Sequence, residues 1–283
     1  MGERHHIFLE GVRLMEDAIG SGVHFESVAF TGELEATDRG AALIASLQSV
    51  QCRGALVSKQ VMQAISDTQS PQGVAAIVSR PYLALEDLFA SHPDLLIIAD
   101  ELQDPGNLGT IIRTAEAAGA SGVITTKYTV DPFIEKAIRA SMGSALRLPI
   151  VSGASRADVA KFCSEHRIRL LASRATPGLP SGVIEDAARA ERVKLCTEVD
   201  MTTPIAFVVG RESTGVSSSS LSEADELVHI PMAEGVESLN VASATAILLY
   251  EAARQRGFKF RKPVSESRKA KDGKQKKTSR SNH

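Results

Sequence analysis

Three polar segments of the sequence could carry chemistry, and the first contains an arginine that its own helix leaves uncovered. Periodic apolar residues predict a helix over residues 107–118, with Asn107 as its N-terminal cap. Arg113 lies about 200° around this helix from Ile111, so it faces away from the predicted buried stripe. An uncovered guanidinium of this kind suits a phosphate or carboxylate ligand. The alternative is a surface ion pair with Glu116, three residues further along.

The second segment is a glycine-bracketed turn after a predicted buried strand over residues 205–209. Gly210 and Gly215 enclose one carboxylate, Glu212. The turn lacks the lysine of a phosphate-binding loop and the glycine spacing of a nucleophile elbow. By itself it predicts only a tight strand-to-helix connection, with Ser217 as the helix cap.

The third segment leads from a predicted strand at residues 227–230 through a loop at Pro231 into a helix over residues 238–256. The first turn of this helix contains Asn240, and the helix has no charged residue from its start to Tyr250. A helix that is apolar all round is expected to be buried on every side. Its partner is either the core of one domain or a second copy of the chain.

These segments are positioned by strands and helices that alternate from Asp94 onward, a pattern that predicts a mostly parallel sheet covered by helices on both faces. Further strands are expected at 95–99, 122–125, 148–151 and 169–173, and further helices at 133–140 and 156–166. Residues 7–78 predict a separate α/β unit with helices over 8–19, 39–50 and 59–65, the last capped by Ser58, and strands at 28–30, 55–57 and 74–78. A linker is expected at residues 81–93.

Composition excludes several classes of protein. The 283 residues are 43% hydrophobic and 23% charged, as in an ordinary globular protein, and no apolar stretch is long enough for a membrane span or a signal peptide. Cys52, Cys163 and Cys196 are too widely spaced for a zinc site, and their odd number argues against a disulfide framework and for the cytoplasm. Aromatic residues are only 4% and tryptophan is absent, which disfavours a base-stacking platform.

Charge is distributed unevenly. Ten Lys or Arg and two acidic residues occur from Lys259 to the end, so the preceding 258 residues carry a net charge of −10 against −2 for the whole chain. We expect residues 259–283 to be a disordered basic tail. Since the body is acidic, any nucleic acid must be bound by local basic patches and by the tail.

Read together, the three segments resemble the motifs of the SpoU/TrmH family of RNA ribose 2′-O-methyltransferases, within the SPOUT superfamily. The matching residues are Asn107-x-Gly109-x-x-x-Arg113-x-Ala115, then Gly210-x-Glu212-x-x-Gly215, then Ile230-Pro231-Met232 with Ser238-Leu239-Asn240. The N-terminal residues, with Gln72 in a polar loop, are similar to the ribosomal-protein-like substrate-binding domain of many members. Two positions depart from the pattern: Arg211 stands where Asn is common, and Glu234 stands where Gly is common, although Gly235 follows it.

The resemblance implies an α/β chain with a small RNA-binding domain at residues 1–80, a linker at 81–93, a trefoil-knotted catalytic domain at 94–258 and the tail at 259–283. It implies a homodimer that binds S-adenosyl-L-methionine (AdoMet) and methylates a ribose 2′-hydroxyl of structured RNA, with large-subunit ribosomal RNA preferred. Transfer RNA and a non-catalytic RNA-binding member are the alternatives. A doubly wound oxidoreductase is a further rival, but the glycine fingerprint of dinucleotide binding is absent.

The resemblance also assigns residues to roles. The implied catalytic residues are Arg113, Asn107, Glu212, Ser238 and Asn240. The implied cofactor-binding residues are Ala172, Ser173, Val209, Gly210, Ile230, Met232, Ser238 and Leu239. RNA contacts are expected from Arg113, Gln72, Arg139 and Arg147, and no metal is expected.

The identity of the proton acceptor is left open by these assignments. The 2′-hydroxyl must lose its proton near the transition state, yet a guanidinium is effectively never deprotonated in proteins. Either an RNA phosphate takes the proton through Arg113, or Arg113 only positions and neutralises while another group accepts it.

Overall fold

The computed structural model describes residues 5–50, 52–89, 94–174 and 193–259, and these form two compact units. The first unit takes in the described residues up to Pro81 together with Phe133–Arg147. The second takes in Tyr82–Pro132 and the described residues from Leu148 onward. The domain boundaries expected from the sequence stay a prediction. In the structure, Phe133–Arg147 groups with the first unit.

Strands and helices are numbered along the chain. The strands are β1 (His6–Glu10), β2 (Phe25–Phe30), β3 (Arg53–Leu56), β4 (Val74–Ser79), β5 (Leu95–Ala99), β6 (Gly122–Thr126), β7 (Ile150–Ala154), β8 (Arg169–Arg174), β9 (Val193–Leu195), β10 (Ile205–Val209) and β11 (Glu226–His229). The helices are α1 (Val12–Ser21), α2 (Gly32–Glu35), α3 (Asp38–Ser49), α4 (Lys59–Ile65), α5 (Leu85–Phe89), α6 (Pro105–Ala117), α7 (Glu135–Ala140), α8 (Ser144–Arg147), α9 (Arg156–Glu165), α10 (Ser218–Glu223) and α11 (Val241–Gln255).

The first unit is built on a four-stranded sheet in the order β1-β4-β2-β3. Strand β4 is antiparallel to both of its neighbours, whereas β3 runs parallel to β2 at the edge. Ser58 accepts a hydrogen bond from the Val61 N–H at the start of α4, so the cap expected there is confirmed. The unit is therefore an α/β fold, as the sequence indicated.

The predicted helix over residues 8–19 is wrong in its first part, because the chain forms strand β1 there. Ile7 and Leu9 are buried while Phe8 is only half-buried, the alternation of a strand. Gly11, with a φ of 100°, then separates β1 from α1. Phe8 lies four residues before Val12, a spacing that is also typical of a helix. These residues form a strand because all of β1 pairs with β4.

The second unit contains a seven-stranded sheet in the order β7-β6-β5-β10-β8-β11-β9, in which every neighbouring pair is parallel. The predicted mostly parallel sheet is confirmed. Strands β5, β6 and β10 are buried along their whole length, which explains their continuous apolar sequences. The short edge strand β9 was not predicted, and neither were helices α2 and α8 of the first unit.

The order of three central strands positions the site. Strand β8 precedes β10 and β11 in the chain but lies between them in the sheet. Ala172 is in register with Val208 on one side and Leu227 on the other. Because the strands are parallel, their carboxyl ends meet at one edge, the edge where open α/β sheets bind ligands.

Some expectations concern residues that the structure does not describe. The predicted disordered tail lies outside the described residues apart from Lys259, and so do residues 90–93 of the predicted linker. In the part of the chain that is described, no helix combines the length and hydropathy needed to cross a bilayer.

Candidate active site

Two asparagines and a glutamate from three separate segments form one hydrogen-bonded chain. The Nδ2 atom of Asn240 donates to Oδ1 of Asn107 over 3.0 Å, and Nδ2 of Asn107 donates to Oε1 of Glu212 over 3.0 Å. The backbone N–H of Asp104 donates to the same Glu212 oxygen over 3.3 Å. The fold therefore brings together three of the five residues expected to be catalytic.

Asn107 is available for these bonds because it does not cap its helix. Asp104 is the N-cap of α6, accepting from the backbone N–H of Asn107 over 2.7 Å, and Pro105 occupies the first helical position. The prediction of Asn107 as the cap was therefore wrong by one turn. Pro105 fits the first turn of a helix and Asp is a preferred N-cap, so the Asp104-Pro105 pair already indicated in the sequence that the helix begins at Pro105.

The loop that holds Glu212 is closed by its own backbone. Arg211 and Gly215 exchange two N–H···O bonds of 2.9 and 2.8 Å. A Cβ added at Gly210 would lie 2.2 Å from the Gly215 carbonyl carbon, and Gly215 itself has a φ of 70°. Both glycines are therefore required by the turn, and Ser217 caps α10 directly after it, as expected.

Glu212 is held as a carboxylate. Burial acts to raise its pKa, but hydrogen bonds from the Asn107 side chain and from backbone N–H groups, including that of Asp104, outweigh burial and leave the pKa below its ordinary value. At neutral pH Glu212 is thus an acceptor, which makes Asn107 present its amide to Glu212 and its carbonyl oxygen to Asn240.

Sequence reasoning missed a network of charges that fixes this loop. The side chain of Asp100 is fully buried, and it accepts from Arg156 Nε over 2.9 Å and from Ser217 and Ser220 over 2.8 Å each. Burial acts to raise the pKa of Asp100, but these hydrogen bonds and the positive charge of Arg156 hold it below the usual value. Asp100 therefore ties β5 to α9 and α10.

The network continues to the Glu212 loop. Glu101 is ion-paired with both Arg156 and Arg211, the latter over 2.5 Å. Arg211 is the position that departs from the family pattern, and the pair with Glu101 gives it a role in this chain. The link could not be seen in the sequence because 110 positions separate the two residues.

Arg113 is exposed on α6, while Ile111 and Ala115 are fully buried. The orientation predicted from the helical wheel is confirmed. The Arg113 side chain makes no hydrogen bond or ion pair with any described residue, so the alternative pairing with Glu116 is not formed. The guanidinium is thus free for a ligand, although it is not bonded to the Asn107–Glu212–Asn240 cluster.

The third segment differs from its prediction at the start of the helix. Asn240 is the N-cap of α11, accepting from the N–H groups of Ala242 and Ser243. Ser238 and Leu239 lie before the helix and are exposed. Gly235 has a φ of 84° and supplies the turn after Glu234.

Helix α11 is not buried on every side, contrary to the expectation. Ile247 is 41% exposed and Tyr250 is 63% exposed, on the same face of the helix as the exposed Ser243. The opposite face packs against α6. This leaves Ile247 and Tyr250 as an exposed apolar stripe, in which the Tyr250 ring contacts the Phe258 ring with 5.7 Å between the centroids.

Six of the eight residues expected to bind the cofactor lie in or directly after the carboxyl ends of β8, β10 and β11. Ala172, Val209 and Gly210 are buried, and Ser173, Ile230 and Met232 are half-buried. Beside them, Nδ1 of His229 is buried and has no hydrogen-bond partner among the described residues. A buried polar atom that lacks a partner fits a site that a ligand completes.

The three residues expected to contact RNA from the first unit all have partners there. Gln72 accepts from the Val12 N–H over 2.9 Å, Arg139 pairs with Glu135 over 3.0 Å, and Arg147 pairs with Asp17 over 2.7 Å. The Arg147 side chain is 30% exposed, against 47% for Arg139, so Arg147 is the less accessible of the two arginines. Contact with RNA would require these groups to share or exchange partners.

Comparison with known proteins agrees with this geometry. Residues 94–250 match the SpoU rRNA Methylase family, and residues 3–76 match the MRM3-like substrate binding domain. The 23S rRNA (guanosine(2553)-2′-O)-methyltransferase RlmP of Bacillus subtilis is 30% identical over 86% of each chain. Mitochondrial rRNA methyltransferase 3 of Homo sapiens is also 30% identical, over 88% of this chain and 67% of the human protein.

Solved structures are similar over nearly the whole chain. An AdoMet-bound rRNA methyltransferase from Sinorhizobium meliloti has a TM-score of 0.74 at 30% identity, covering 88% of this chain and 87% of that one. The SpoU methyltransferase AviRb from Streptomyces viridochromogenes, in complex with AdoMet, has a TM-score of 0.76 at 27% identity, covering 92% and 96%. With these matches and the clustered motif residues, the chain belongs to the SpoU rRNA methylase family.

Proposed function

We propose that this chain transfers a methyl group from AdoMet to a ribose 2′-hydroxyl of large-subunit ribosomal RNA. The observation that carries the proposal is the Asn107–Glu212–Asn240 cluster, in which Asn107 lies on the same helix as a free guanidinium, Arg113. Relatives named as 23S rRNA 2′-O-methyltransferases support ribosomal RNA over transfer RNA. Intact motif residues argue against a non-catalytic RNA-binding member.

AdoMet would be held at the carboxyl edge of β8, β10 and β11. The residues assigned to it are Ala172, Ser173, Val209, Gly210, Ile230, Met232, Ser238 and Leu239. When bound, AdoMet supplies a methyl group activated by a positively charged sulfur. The absence of a side chain at Gly210 lets the Gly215 backbone close the turn at this edge, and the unpaired Nδ1 of His229 offers one further polar contact.

The residues of the cluster position the reaction. Glu212, a carboxylate at neutral pH, fixes the amide of Asn107, and Asn107 in turn fixes Asn240 at the start of α11. Ser238 lies two residues before Asn240 and is exposed, so its hydroxyl is available to the ribose. Together these groups orient the 2′-hydroxyl for in-line attack on the methyl group. Holding the reacting groups in this geometry lowers the activation barrier.

Arg113 binds the RNA next to the reacting hydroxyl. A guanidinium pairs with phosphate in two parallel hydrogen bonds, and its charge stabilises the alkoxide that develops as the proton leaves. Because free guanidinium does not act as a base, the proton passes to an RNA phosphate through Arg113 or to another acceptor that Arg113 positions.

The active form is a homodimer with a knotted catalytic domain. The apolar stripe of α11, with Ile247 and Tyr250, supports an interface with a second copy. The placement of β8 between β10 and β11 supports a chain threaded between those strands. The N-terminal unit binds RNA, and the three free cysteines Cys52, Cys163 and Cys196 support the cytoplasm as the compartment.

The experiment that tests the function uses the full-length chain, tritiated AdoMet and an unmodified transcript of the large-subunit ribosomal RNA. We expect label in one ribose, which reverse transcription at low nucleotide concentration locates. A transfer RNA pool serves as the competing substrate. Label in transfer RNA alone would show that transfer RNA, and not ribosomal RNA, is the substrate. Label in neither RNA would contradict the proposed methyltransferase function.

A further inference from the structure

The segment after β6 displays an aromatic side chain that the proposed reaction does not use. Tyr128 is 79% exposed, and its φ of 69° lies in the left-handed region, where a bulky side chain is an outlier. Strain of this kind persists only where the surrounding structure enforces it, and it is concentrated at functional sites.

Hydrogen bonds to the chain after β5 enforce the conformation. Gln103 Nε2 donates to the Tyr128 carbonyl over 2.6 Å, and the Val130 N–H donates to the Leu102 carbonyl over 2.8 Å. Thr129 Oγ1 accepts from the Glu101 N–H and donates to the carbonyl of Ala99, each over 3.0 Å. The backbone at Tyr128 is therefore fixed before any ligand binds.

The fixed segment lies beside the catalytic cluster. Strands β5 and β6 are parallel neighbours, with Ala99 in register with Thr125, so the chain leaves both strands at the same edge. Gln103 holds the Tyr128 carbonyl, and the next residue, Asp104, donates its N–H to Glu212. Two residues of one short segment thus connect Tyr128 to Glu212.

The side chain itself is left without a partner. The Tyr128 ring has no hydrogen bond and no ring contact with any described residue, and the neighbouring Lys127 is exposed too. An aromatic ring beside a cation on a rigid backbone suits single-stranded nucleic acid, in which a base stacks on the ring and a phosphate meets the cation.

We propose that Tyr128 stacks on an unpaired nucleobase of the RNA substrate close to the target ribose. This inference rests on the proposed function and deepens it. A single stacking residue is not the extended base-stacking platform that the low aromatic content disfavours. It implies that the target ribose lies in a loop or bulge of the RNA, where bases can leave the helical stack.

The test compares Tyr128→Gly with Tyr128→Phe in the full-length chain, with the ribosomal transcript and tritiated AdoMet. Glycine adopts the left-handed conformation freely, so Tyr128→Gly is expected to keep or raise the melting temperature. It is also expected to raise KM for the RNA about tenfold, the size of one lost stacking contact. Tyr128→Phe keeps the ring and should keep KM within twofold. AdoMet affinity should not change in either variant.

Several outcomes would overturn the inference. A Tyr128→Gly enzyme with the wild-type KM would show that no base stacks there, and an equal loss in Tyr128→Phe would assign the effect to the hydroxyl. A change of molecular mass in Tyr128→Gly would place the ring between two copies of the chain. If Tyr128→Gly does not fold, Tyr128→Asn, which also tolerates this backbone, takes its place. A wild-type enzyme that methylates no RNA would refute the proposed function itself.

Discussion

Asn240 links the start of one helix to the first turn of another. Its Oδ1 atom accepts from the N–H groups of Ala242 and Ser243, whereas its Nδ2 atom donates to Asn107, 133 residues away in the chain. One side chain therefore performs two separable tasks. The oxygen stabilises α11, and the nitrogen holds Asn107, which holds Glu212.

Asn240→Asp separates these tasks. The carboxylate keeps the cap and is favoured at a helix N-terminus, so the melting temperature should stay the same or rise. The donor to Asn107 is lost, and we expect turnover to fall about tenfold, as for the loss of one hydrogen bond. Asn240→Ala serves as the control, since it loses both tasks and should also destabilise the fold by about 1 kcal/mol. Full activity in Asn240→Asp would exclude the Asn107 contact from catalysis.

The buried Asp100 makes stability depend on pH. Because its pKa is lowered in the folded protein, the unfolded chain binds protons more tightly, and stability rises with pH. The contribution is complete above the unfolded pKa of about 4 and is lost as pH falls through the folded value. We expect Asp100→Asn to cost about 3 kcal/mol at pH 7, because Arg156 loses its buried partner.

Thermal unfolding between pH 3 and pH 7 measures this dependence. The melting temperature of Asp100→Asn should fall less steeply towards acid than that of the wild type. Asp200→Asn is the comparison: the Asp200 carboxylate also has a lowered pKa, so its curve should flatten too, but its bonds from Thr202 are local, so stability at pH 7 should change little. Parallel curves for the wild type and Asp100→Asn would contradict the assignment.

Arg211 is expected to position the Glu212 loop through its ion pair with Glu101. Arg211→Ala should lower turnover about tenfold or more, because small displacements of positioning groups are costly. Arg211→Lys should restore most of the activity, since it still offers a cation to Glu101. Turnover at saturating RNA and AdoMet is the measurement. Equal losses in both variants would point to a contact that needs the guanidinium itself.

Sequence reasoning reached the sheet and the motif residues because they depend on local patterns. The apolar strands β5 and β10 were predicted with their observed bounds, and Arg113 was correctly placed on an exposed face. It failed where tertiary contacts decide. Strand β1 forms because it pairs with β4, which lies far along the chain. The Asp100–Arg156 and Glu101–Arg211 ion pairs likewise join residues that are distant in sequence. The start of α6 was missed although the Asp104-Pro105 pair indicated it.

The apolar stripe of α11 predicts the oligomeric state. We expect the wild type to be a dimer, and Ile247→Glu combined with Tyr250→Glu to be a folded monomer, because two charges cannot be buried unpaired at an interface. Light scattering during size-exclusion chromatography gives the mass. Leu56→Glu, which places a charge at an apolar side chain 65% exposed in the first unit, is the matched control. A dimer that survives the double substitution would locate the interface elsewhere.

The central claim is that the free guanidinium of Arg113 acts on the RNA and not on the methyl donor. Single-turnover methylation of the ribosomal transcript by Arg113→Ala, with AdoMet affinity measured by calorimetry, tests it most directly. Lys161→Ala, which removes an exposed cation of α9 with no assigned role, provides the comparison. We predict a methylation rate about a thousandfold lower, with AdoMet affinity and melting temperature unchanged. A folded Arg113→Ala enzyme that methylates at the wild-type rate, or that no longer binds AdoMet, would contradict the account.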